Sequence, residues 1–292
     1  MESLKNDCIE IAVAEHGAEL QSLKKDGKEY LWQADARYWK RRSPVLFPLV
    51  GRVWGDSYRV DKREYFLGQH GFARDKDFTL VEASDSRLVY ELRSSASTLE
   101  VYPFDFALRI TYELEGSSVR VGWTVTNTGD RELPFQIGAH PAFNMPEFDP
   151  DAEPRAYFRF DTCGVLTFIM PKEKGCVAAD SHQLVIPADC LMPIKRHTFD
   201  CDTYIFQDSQ LRSVSLLKRD KSPCLTVSFS SPLVALWAPT ASKPDCPFVC
   251  IEPWYGRCDE VGYLGEFTRR DVMNHLAPGE QFDASYTITI DE

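Results

Sequence analysis

Three short segments of this 292-residue chain place ionisable side chains among glycine, proline and aromatic residues. They are QHGFAR at residues 69–74, HPAFN at residues 140–144 and IEPW at residues 251–254. Functional groups concentrate on loops that a rigid scaffold holds in place. The imidazoles of His70 and His140 and the carboxyl group of Glu252 are therefore candidates for a site assembled from distant parts of the chain.

Glu252 is the carboxyl group whose sequence surroundings most favour acid–base chemistry. It follows the apolar residues 248–251 and precedes Pro253 and Trp254. Charged side chains are rarely buried without a partner, and burial raises the proton affinity of a carboxylate, which suits a general base. An ion pair with Arg257 at a sheet edge explains the same pattern equally well.

His70 and His140 differ from the other four histidines in their neighbours. Gly68 and Gly71 flank the first, and Pro141 follows the second. An isolated histidine is more often a surface or hydrogen-bonded core residue than a catalyst. Loops that contain glycine and proline commonly carry function, so the catalytic and structural interpretations of these two histidines have equal weight.

Other polar and aromatic residues are candidates for ligand binding. Arg52 offers several fixed hydrogen-bond donors, although taken alone it is better interpreted as a surface arginine. Asp200 and Asp202 precede a strand, where aspartate usually serves turn chemistry. Most tryptophans belong to a core or its rim, but one at a pocket would suit the apolar face of a sugar. The candidates are Trp39, Trp54, Trp237 and Trp254.

β-Strands must position these residues, because alternation of apolar and polar side chains dominates the chain. Its clearest instance predicts a β-hairpin, in which residues 106–114 and 119–126 join through a glycine-containing turn. The same alternation predicts strands at residues 8–14, 18–24, 57–60, 87–93, 155–160, 203–207, 213–218, 224–230, 234–238, 247–251 and 284–290. We expect an all-β fold, a large antiparallel β-sandwich or barrel, with residues 1–292 forming a single domain.

Helical signals are few and short. Residues 38–41 could form one turn, and a second is predicted within residues 262–274, with Arg269, Arg270 and Asp271 exposed. Neither is long enough to organise the fold.

Composition excludes several classes of function. The net charge of −11, from 44 acidic and 33 basic residues, argues against nucleic-acid binding, which needs clustered positive charge. It argues more weakly against an anionic membrane. No signal peptide or membrane span is predicted.

Nine scattered cysteines favour reduced thiols and a cytoplasmic location. The spacing of Cys246, Cys250 and Cys258 is a poor match to structural zinc sites, so buried, unreactive thiols are expected.

Together, the segments resemble the aldose 1-epimerase (galactose mutarotase-like) superfamily, most closely its LacX-like bacterial branch. Beyond the three segments above, the resemblance rests on FPLVGR at residues 47–52, FDCDTYIF at residues 199–206 and APGE at residues 277–280. Each segment alone is weak, but their order and spacing over nearly the whole chain are specific. The resemblance implies a large antiparallel β-sandwich, the supersandwich of mutarotases, whose concave face holds the sugar.

The resemblance also implies a reaction, the interconversion of α and β anomers of an aldohexose by ring opening and reclosure. Glu252 matches the general base that takes the proton from the anomeric hydroxyl. His140 matches the general acid that protonates the ring oxygen. No metal or cofactor is required for this chemistry.

Three further residues, His70, Arg52 and Asp202, match substrate-binding positions of the family. Asp200 lies near enough to Asp202 to compete for the role of sugar-binding aspartate. The expected substrate-binding residues are His70, Arg52, Asp202, Arg74 and Trp254.

The sequence is compatible with three hypotheses of function. The first is an enzyme acting on a free aldohexose, although HPAFN differs from the HSYFN type of galactose-specific enzymes, so galactose is not assumed. The second is an epimerase of a hexose 6-phosphate or other anionic sugar. Glucose-6-phosphate 1-epimerases share the QHGFAR segment, and an arginine cluster would be formed by Arg41, Arg42, Arg52 and Arg74. The third is a non-catalytic sugar-binding or sensing protein. Either a monomer or a homodimer is compatible with the sequence.

Overall fold

The computed structural model describes residues 1–292 and is built almost entirely of β-strands. The first fourteen are β1 Glu2–Lys5, β2 Glu10–Val13, β3 Leu20–Lys25, β4 Lys28–Glu29, β5 Val45–Leu46, β6 Ser57–Val60, β7 Arg63–Phe66, β8 Thr79–Ala83, β9 Arg87–Arg93, β10 Phe106–Glu115, β11 Ser118–Asn127, β12 Leu133–Phe135, β13 Ile137–Ala139 and β14 Ala142–Asn144. The other thirteen are β15 Ala156–Phe160, β16 Gly164–Ile169, β17 Pro171–Glu173, β18 Cys176–Val177, β19 His182–Ile186, β20 Leu191–Ile194, β21 Tyr204–Phe206, β22 Ser213–Leu217, β23 Pro223–Phe229, β24 Leu233–Trp237, β25 Phe248–Tyr255, β26 Asn274–Leu276 and β27 Gln281–Ile290.

Two large antiparallel sheets dominate the fold. The first has nine strands in the order β20-β15-β22-β23-β27-β11-β10-β9-β8. The predicted hairpin lies near its middle, where β10 pairs with β11 and Ile110 lies opposite Trp123. The inward-facing residues of both strands are buried, which is the pattern expected when one face of a sheet packs on a core. The predicted hairpin and the all-β fold are therefore confirmed.

The second sheet has eight strands and positions the candidate site. Its order is β19-β16-β21-β24-β25-β13-β5, and β14 also pairs with β25. Seven of the eight residues of β25 are buried, because this strand has neighbours along both edges. Predicted strands 247–251 and 234–238 correspond to β25 and β24, although β25 continues four residues further, through Glu252 to Tyr255.

The two faces of the second sheet differ in what they bury. Val234 and Leu236 of β24 belong to the main core of 71 buried residues. The alternate residues Leu233 and Ala235 belong to a separate cluster of nine on the opposite face. Side chains alternate along a strand, so this second face presents its own set of residues to a surface depression.

Helical structure is limited to one α-helix, α1 Ala96–Leu99, and three 3₁₀ turns at Trp54–Asp56, Ala73–Asp75 and Phe267–Arg269. The turn predicted within residues 262–274 is present, but the predicted helical turn at 38–41 is wrong, since a simple turn lies at residues 36–38. The prediction that Arg270 is exposed is also wrong. Its side chain is buried because its guanidinium donates to Asp259, whose carboxylate compensates the charge. None of these helices has the length and apolar character of a membrane-spanning segment.

Candidate active site

A pocket of about 380 Å³ opens on the second face of the eight-stranded sheet, and we call it the central pocket. It brings together residues of the QHGFAR, HPAFN and IEPW segments, although these segments are far apart in the chain. Its lining combines aromatic rings, two imidazoles, two guanidiniums and two carboxyl groups. These side chains belong to Trp39, Trp237, Trp254, His70, His140, Arg41, Arg74, Asp202 and Glu252.

Glu252 lies on the floor of the central pocket, in the middle of β25. It is directly opposite Ala235 of β24, whose small side chain leaves space on that face. Its side chain is 1% exposed, and no ion pair links it to Arg257, which instead donates to Asp271 at 2.6 Å. The alternative of a Glu252–Arg257 pair at a sheet edge is therefore wrong. Glu252 is a buried carboxyl group without a cationic arginine or lysine partner.

His140 follows β13 and is held above Glu252 by the neighbouring backbone. Its N–H donates to Pro44 O at 3.1 Å, and the indole of Trp254 donates to Ala139 O at 3.2 Å. Gly138 makes this packing possible, because a Cβ there would lie 2.6 Å from the Trp254 ring. The imidazole stacks on Trp39 with ring centroids 4.7 Å apart. The glycine of the Gly138-Ala139-His140 segment thus has a direct role in placing the histidine.

His140 and Glu252 form a buried acid–base pair. The distance from His140 Nε2 to Glu252 Oε2 is 3.3 Å. Burial, and then the charge of Asp202, raises the pKa of Glu252 well above its usual value, although the Trp254 indole opposes part of this effect. Burial, and then the charge of Arg74, lowers the pKa of His140 to about 3. Both groups therefore favour their neutral forms, so the pair carries no net charge.

His70 is locked in place through both its backbone and its side chain. Its N–H donates to Gly51 O at 2.7 Å, and the Gly51 N–H donates to His70 Nδ1 at 3.1 Å. Burial, and then the neighbouring His140, lowers the pKa of His70 well below its usual value, so the ring is neutral. With Nδ1 accepting a hydrogen bond, the proton of the neutral ring must be on Nε2. His70 therefore presents a hydrogen-bond donor to the site.

Gly71 explains why this loop carries glycine beside the histidine. His70 and Gly71 both have positive φ, at 65° and 68°. A Cβ at Gly71 would lie 2.2 Å from Phe47 O, the oxygen that accepts from the N–H groups of Phe72 and Ala73. The chain can approach Phe47 this closely only where no side chain is present.

We predict that Gly71→Ala destabilises the protein by about 3–5 kcal/mol, because both the left-handed backbone and the clash with Phe47 oppose the new methyl group. Gly27→Ala is the matched control, since Gly27 has φ of 78° but a Cβ at this position would meet nothing within 4 Å. The control should lose only about 1–2 kcal/mol. Urea denaturation of both variants checks this, and equal losses would show that the contact with Phe47 carries no energetic weight.

Arg74 and Arg41 place positive charge at the central pocket. Both approach Asp75, with Arg41 at 2.8 Å and Arg74 Nε at 3.8 Å, and Arg74 also donates to Gln69 O at 2.6 Å. Two guanidiniums share one carboxylate, so a positive charge is left over. Burial, and then Arg41, lowers the pKa of Arg74 to about 10, which still leaves it charged at neutral pH.

The structure separates the two candidate aspartates. Asp202 lines the central pocket, and its carboxylate accepts from the Thr203 hydroxyl at 2.8 Å. Asp200 lies outside this pocket and pairs with His197 at 2.8 Å. Of the two, only Asp202 is placed to contact a ligand beside Glu252.

Arg52 is the one proposed binding residue that does not line the central pocket. It lines an adjoining groove of about 440 Å³, where its guanidinium pairs with Asp56 at 3.1 Å. The groove and the central pocket share Gln69, Gly175 and Asp202. Arg52 is therefore within reach of a ligand that extends from the pocket, but not of one confined to it.

Sequence reasoning only partly identified the aromatic lining. Trp237 and Trp39 are in the pocket and hold the His140 ring, at centroid distances of 5.4 and 4.7 Å. Trp54 is not in the pocket but lies under Lys174. The hairpin of β17 and β18 contributes Pro171 and Gly175, which the sequence analysis missed. Their residue types carry no chemical signal, so only their spatial position identifies them.

Comparison with known proteins gives a consistent assignment. The sequence model of the aldose 1-epimerase family matches residues 2–261. The chain is 32% identical over 298 residues to the plasmid-encoded protein LacX of Lactococcus lactis subsp. lactis, covering 98% of each chain. Its fold is similar to that of a galactose mutarotase related enzyme from Lactobacillus acidophilus, at 30% identity and a TM-score of 0.92, covering 100% of this chain and 97% of that one. A galactose mutarotase-like protein from Lactobacillus casei gives the same TM-score at 28% identity, covering 99% of each chain.

The chain therefore belongs to the aldose 1-epimerase family, and its enzyme class is isomerase. The resemblance to the LacX-like branch and the mutarotase-like sandwich predicted from sequence are both confirmed.

Proposed function

We propose that this protein interconverts the α and β anomers of an aldohexose, with Glu252 and His140 as the proton-transfer groups. The buried pair at 3.3 Å, at the floor of a pocket lined by indole rings, carries the proposal. A pair at the protein surface would be hydrated, and a pair that only stabilised the fold would not need to face a pocket of about 380 Å³.

The protein contributes only proton transfers to this mechanism. In the reactive form of the pair, the Glu252 carboxylate takes the proton from the anomeric hydroxyl while the His140 imidazolium protonates the ring oxygen. The bond between C1 and the ring oxygen breaks, and an aldehyde forms at C1. Rotation about the C1–C2 bond turns the other face of the aldehyde toward the ring hydroxyl. Reclosure with the two roles reversed gives the opposite anomer and restores the pair.

Four further residues are proposed to hold the sugar. The neutral His70 donates from Nε2 to the ring oxygen or a neighbouring hydroxyl, and Asp202 accepts from sugar hydroxyls. Trp254 offers its flat face to the apolar side of the ring, and Arg74 donates to oxygen atoms at the pocket wall. All four line the central pocket.

The arginines favour a second candidate substrate class, a hexose 6-phosphate or other anionic hexose. Arg41 and Arg74 share the single carboxylate of Asp75, so this wall of the central pocket carries two guanidiniums against one carboxylate. The adjoining groove adds Arg52 and Lys174, although Asp56 compensates one of these charges. A phosphate on the sugar would supply the missing negative charge.

An anomer-exchange screen tests the proposed function. Freshly dissolved single anomers of free hexoses and of hexose 6-phosphates would be followed by polarimetry, with exchange NMR as a second measurement. Acceleration over the uncatalysed rate on at least one sugar supports the proposal. Saturable binding of sugars without any acceleration would instead support a non-catalytic binding or sensing protein.

Arg74→Ala should separate the two substrate classes. If the substrate is anionic, we expect KM for the charged sugar to rise about 10–100-fold, the loss of a charge-assisted hydrogen bond, with little change for a neutral sugar. Arg52→Ala is the matched control, because Arg52 lies in the adjoining groove and is paired with Asp56. It should raise KM less than Arg74→Ala. Equal effects of Arg74→Ala on neutral and charged sugars would contradict an anionic substrate.

A further inference from the structure

Cys250 lies beside the acid–base pair and has no part in the proposed reaction. It precedes Glu252 by two residues on β25, so both side chains project from the same face of the strand. The ligand-capable atoms of His140, Cys250 and Glu252 all lie within 4.8 Å of one another. All three side chains are buried. An imidazole, a thiol and a carboxyl group thus meet at one point.

The spacing of this trio suits a tetrahedral metal ion. Zinc bonds nitrogen and oxygen ligands at roughly 2.0–2.2 Å, so two such ligands of a tetrahedral site are separated by about 3.3–3.6 Å. The 3.3 Å between His140 Nε2 and Glu252 Oε2 agrees with this separation. The Cys250 sulfur lies within 4.8 Å of both atoms, so a shift of roughly 1 Å or less would bring it to the third position. His140 and Glu252 both line the central pocket, from which water could supply the fourth ligand.

The trio also contains two buried polar atoms without partners. Glu252 Oε2 is buried and has no hydrogen-bond partner, and the same is true of His140 Nδ1. A buried carboxylate oxygen without a donor costs free energy unless a proton or a cation compensates it. A metal ion bound to Oε2 would supply this compensation.

We propose that His140, Cys250 and Glu252 bind a zinc-class divalent cation, which blocks proton transfer and reversibly inhibits the enzyme. The mixed nitrogen, sulfur and oxygen donor set selects zinc, cobalt or nickel over magnesium and calcium, which prefer oxygen ligands. The inhibitory effect rests on the proposed epimerase function, whereas binding of the metal does not.

The test combines a spectroscopic measurement with inhibition. Cobalt chloride added to the reduced protein should produce visible ligand-field bands of a tetrahedral ion, together with a thiolate-to-cobalt charge-transfer band, at one ion per chain. Zinc chloride should displace the cobalt and inhibit anomer exchange, and a chelator should restore both. Magnesium chloride at the same concentration should do neither.

Cys250→Ala and Cys250→Ser identify the ligand, and thermal melts confirm that each variant is folded. Both should retain anomer exchange, because Cys250 transfers no proton. We expect the zinc concentration for half-inhibition to rise at least tenfold, since removing a direct ligand should cost no less than the roughly 10–100-fold typical of an outer-shell partner. Cys163→Ser is the matched control, because Cys163 is an exposed cysteine outside the trio. It should leave zinc sensitivity unchanged.

Two results would overturn the proposal, and both are distinct from a failure of the epimerase assignment. One is a cobalt spectrum without a charge-transfer band in the unmodified protein. The other is unchanged cobalt binding in Cys250→Ala, or its loss in Cys163→Ser, which would place the metal at surface thiols. If the protein shows no anomer exchange with any sugar, the cobalt spectra alone decide whether the site exists.

Discussion

Glu252→Gln should lower kcat for anomer exchange by about 10²–10⁴, the contribution of a positioned general acid–base group. The amide has nearly the shape of the carboxyl group but cannot take the proton of the anomeric hydroxyl. KM should change little, because the pocket walls that hold the sugar are formed by other residues. Polarimetry on the best sugar from the screen, over a range of substrate concentrations, separates the two constants.

The controls for this variant address folding and specificity. The pKa of Glu252 is raised by burial, so above the unfolded value of about 4.3 the unfolded chain loses this proton while the folded protein keeps it, and stability falls as pH rises. Glu252→Gln removes that cost and should melt no lower than the unmodified protein at pH 7. Asp200→Asn is the matched activity control, because Asp200 pairs with His197 outside the pocket. A Glu252→Gln variant with unchanged kcat would show that the assigned base is wrong.

The sequence was sufficient to predict the fold, and the structure brings the three candidate segments into one pocket. Alternation of apolar and polar residues is a local property that follows directly from the two faces of a sheet, so the β10–β11 hairpin was predicted within one residue of its observed strand bounds. The histidine, arginine and glutamate segments stood out because each puts an ionisable group among residues chosen for backbone shape. Gly71 and Gly138 illustrate this dependence on backbone shape, since each permits a close contact that a Cβ would block.

What the sequence could not predict depends on contacts between distant residues. Asp202 lines the pocket with a positive φ, whereas Asp200 pairs with His197 outside it. The alternation of apolar and polar residues predicts neither the backbone conformation nor the pairing. Arg270 was expected on the surface because its neighbours are polar, but Asp259 compensates it in the interior. The sequence did not indicate that Cys250 lies beside His140, because this proximity requires β14 and β13 to fold against β25.

His140→Ala should lower kcat by a similar factor, about 10²–10⁴, because the ring oxygen then has no proton donor. Removing the imidazole also leaves a space between the rings of Trp39 and Trp237, which now enclose it. Added imidazole should enter this space and restore part of the rate. It should give no rescue of Glu252→Gln, which is the matched control. Equal rescue of both variants would indicate buffer catalysis in solution and not replacement of His140.

The double variant His140→Ala/Glu252→Gln tests whether the two groups act as one unit. In the proposed mechanism the two groups, 3.3 Å apart, share one proton, so each group is useful only when the other can receive or return that proton. Catalytic groups that act as a unit show strongly non-additive losses. We therefore expect the double variant to be no more than a few-fold slower than the slower single variant. Losses that multiply instead would mean that the base and the acid contribute independently, and the shared-proton mechanism would have to be replaced by two separate transfers with solvent.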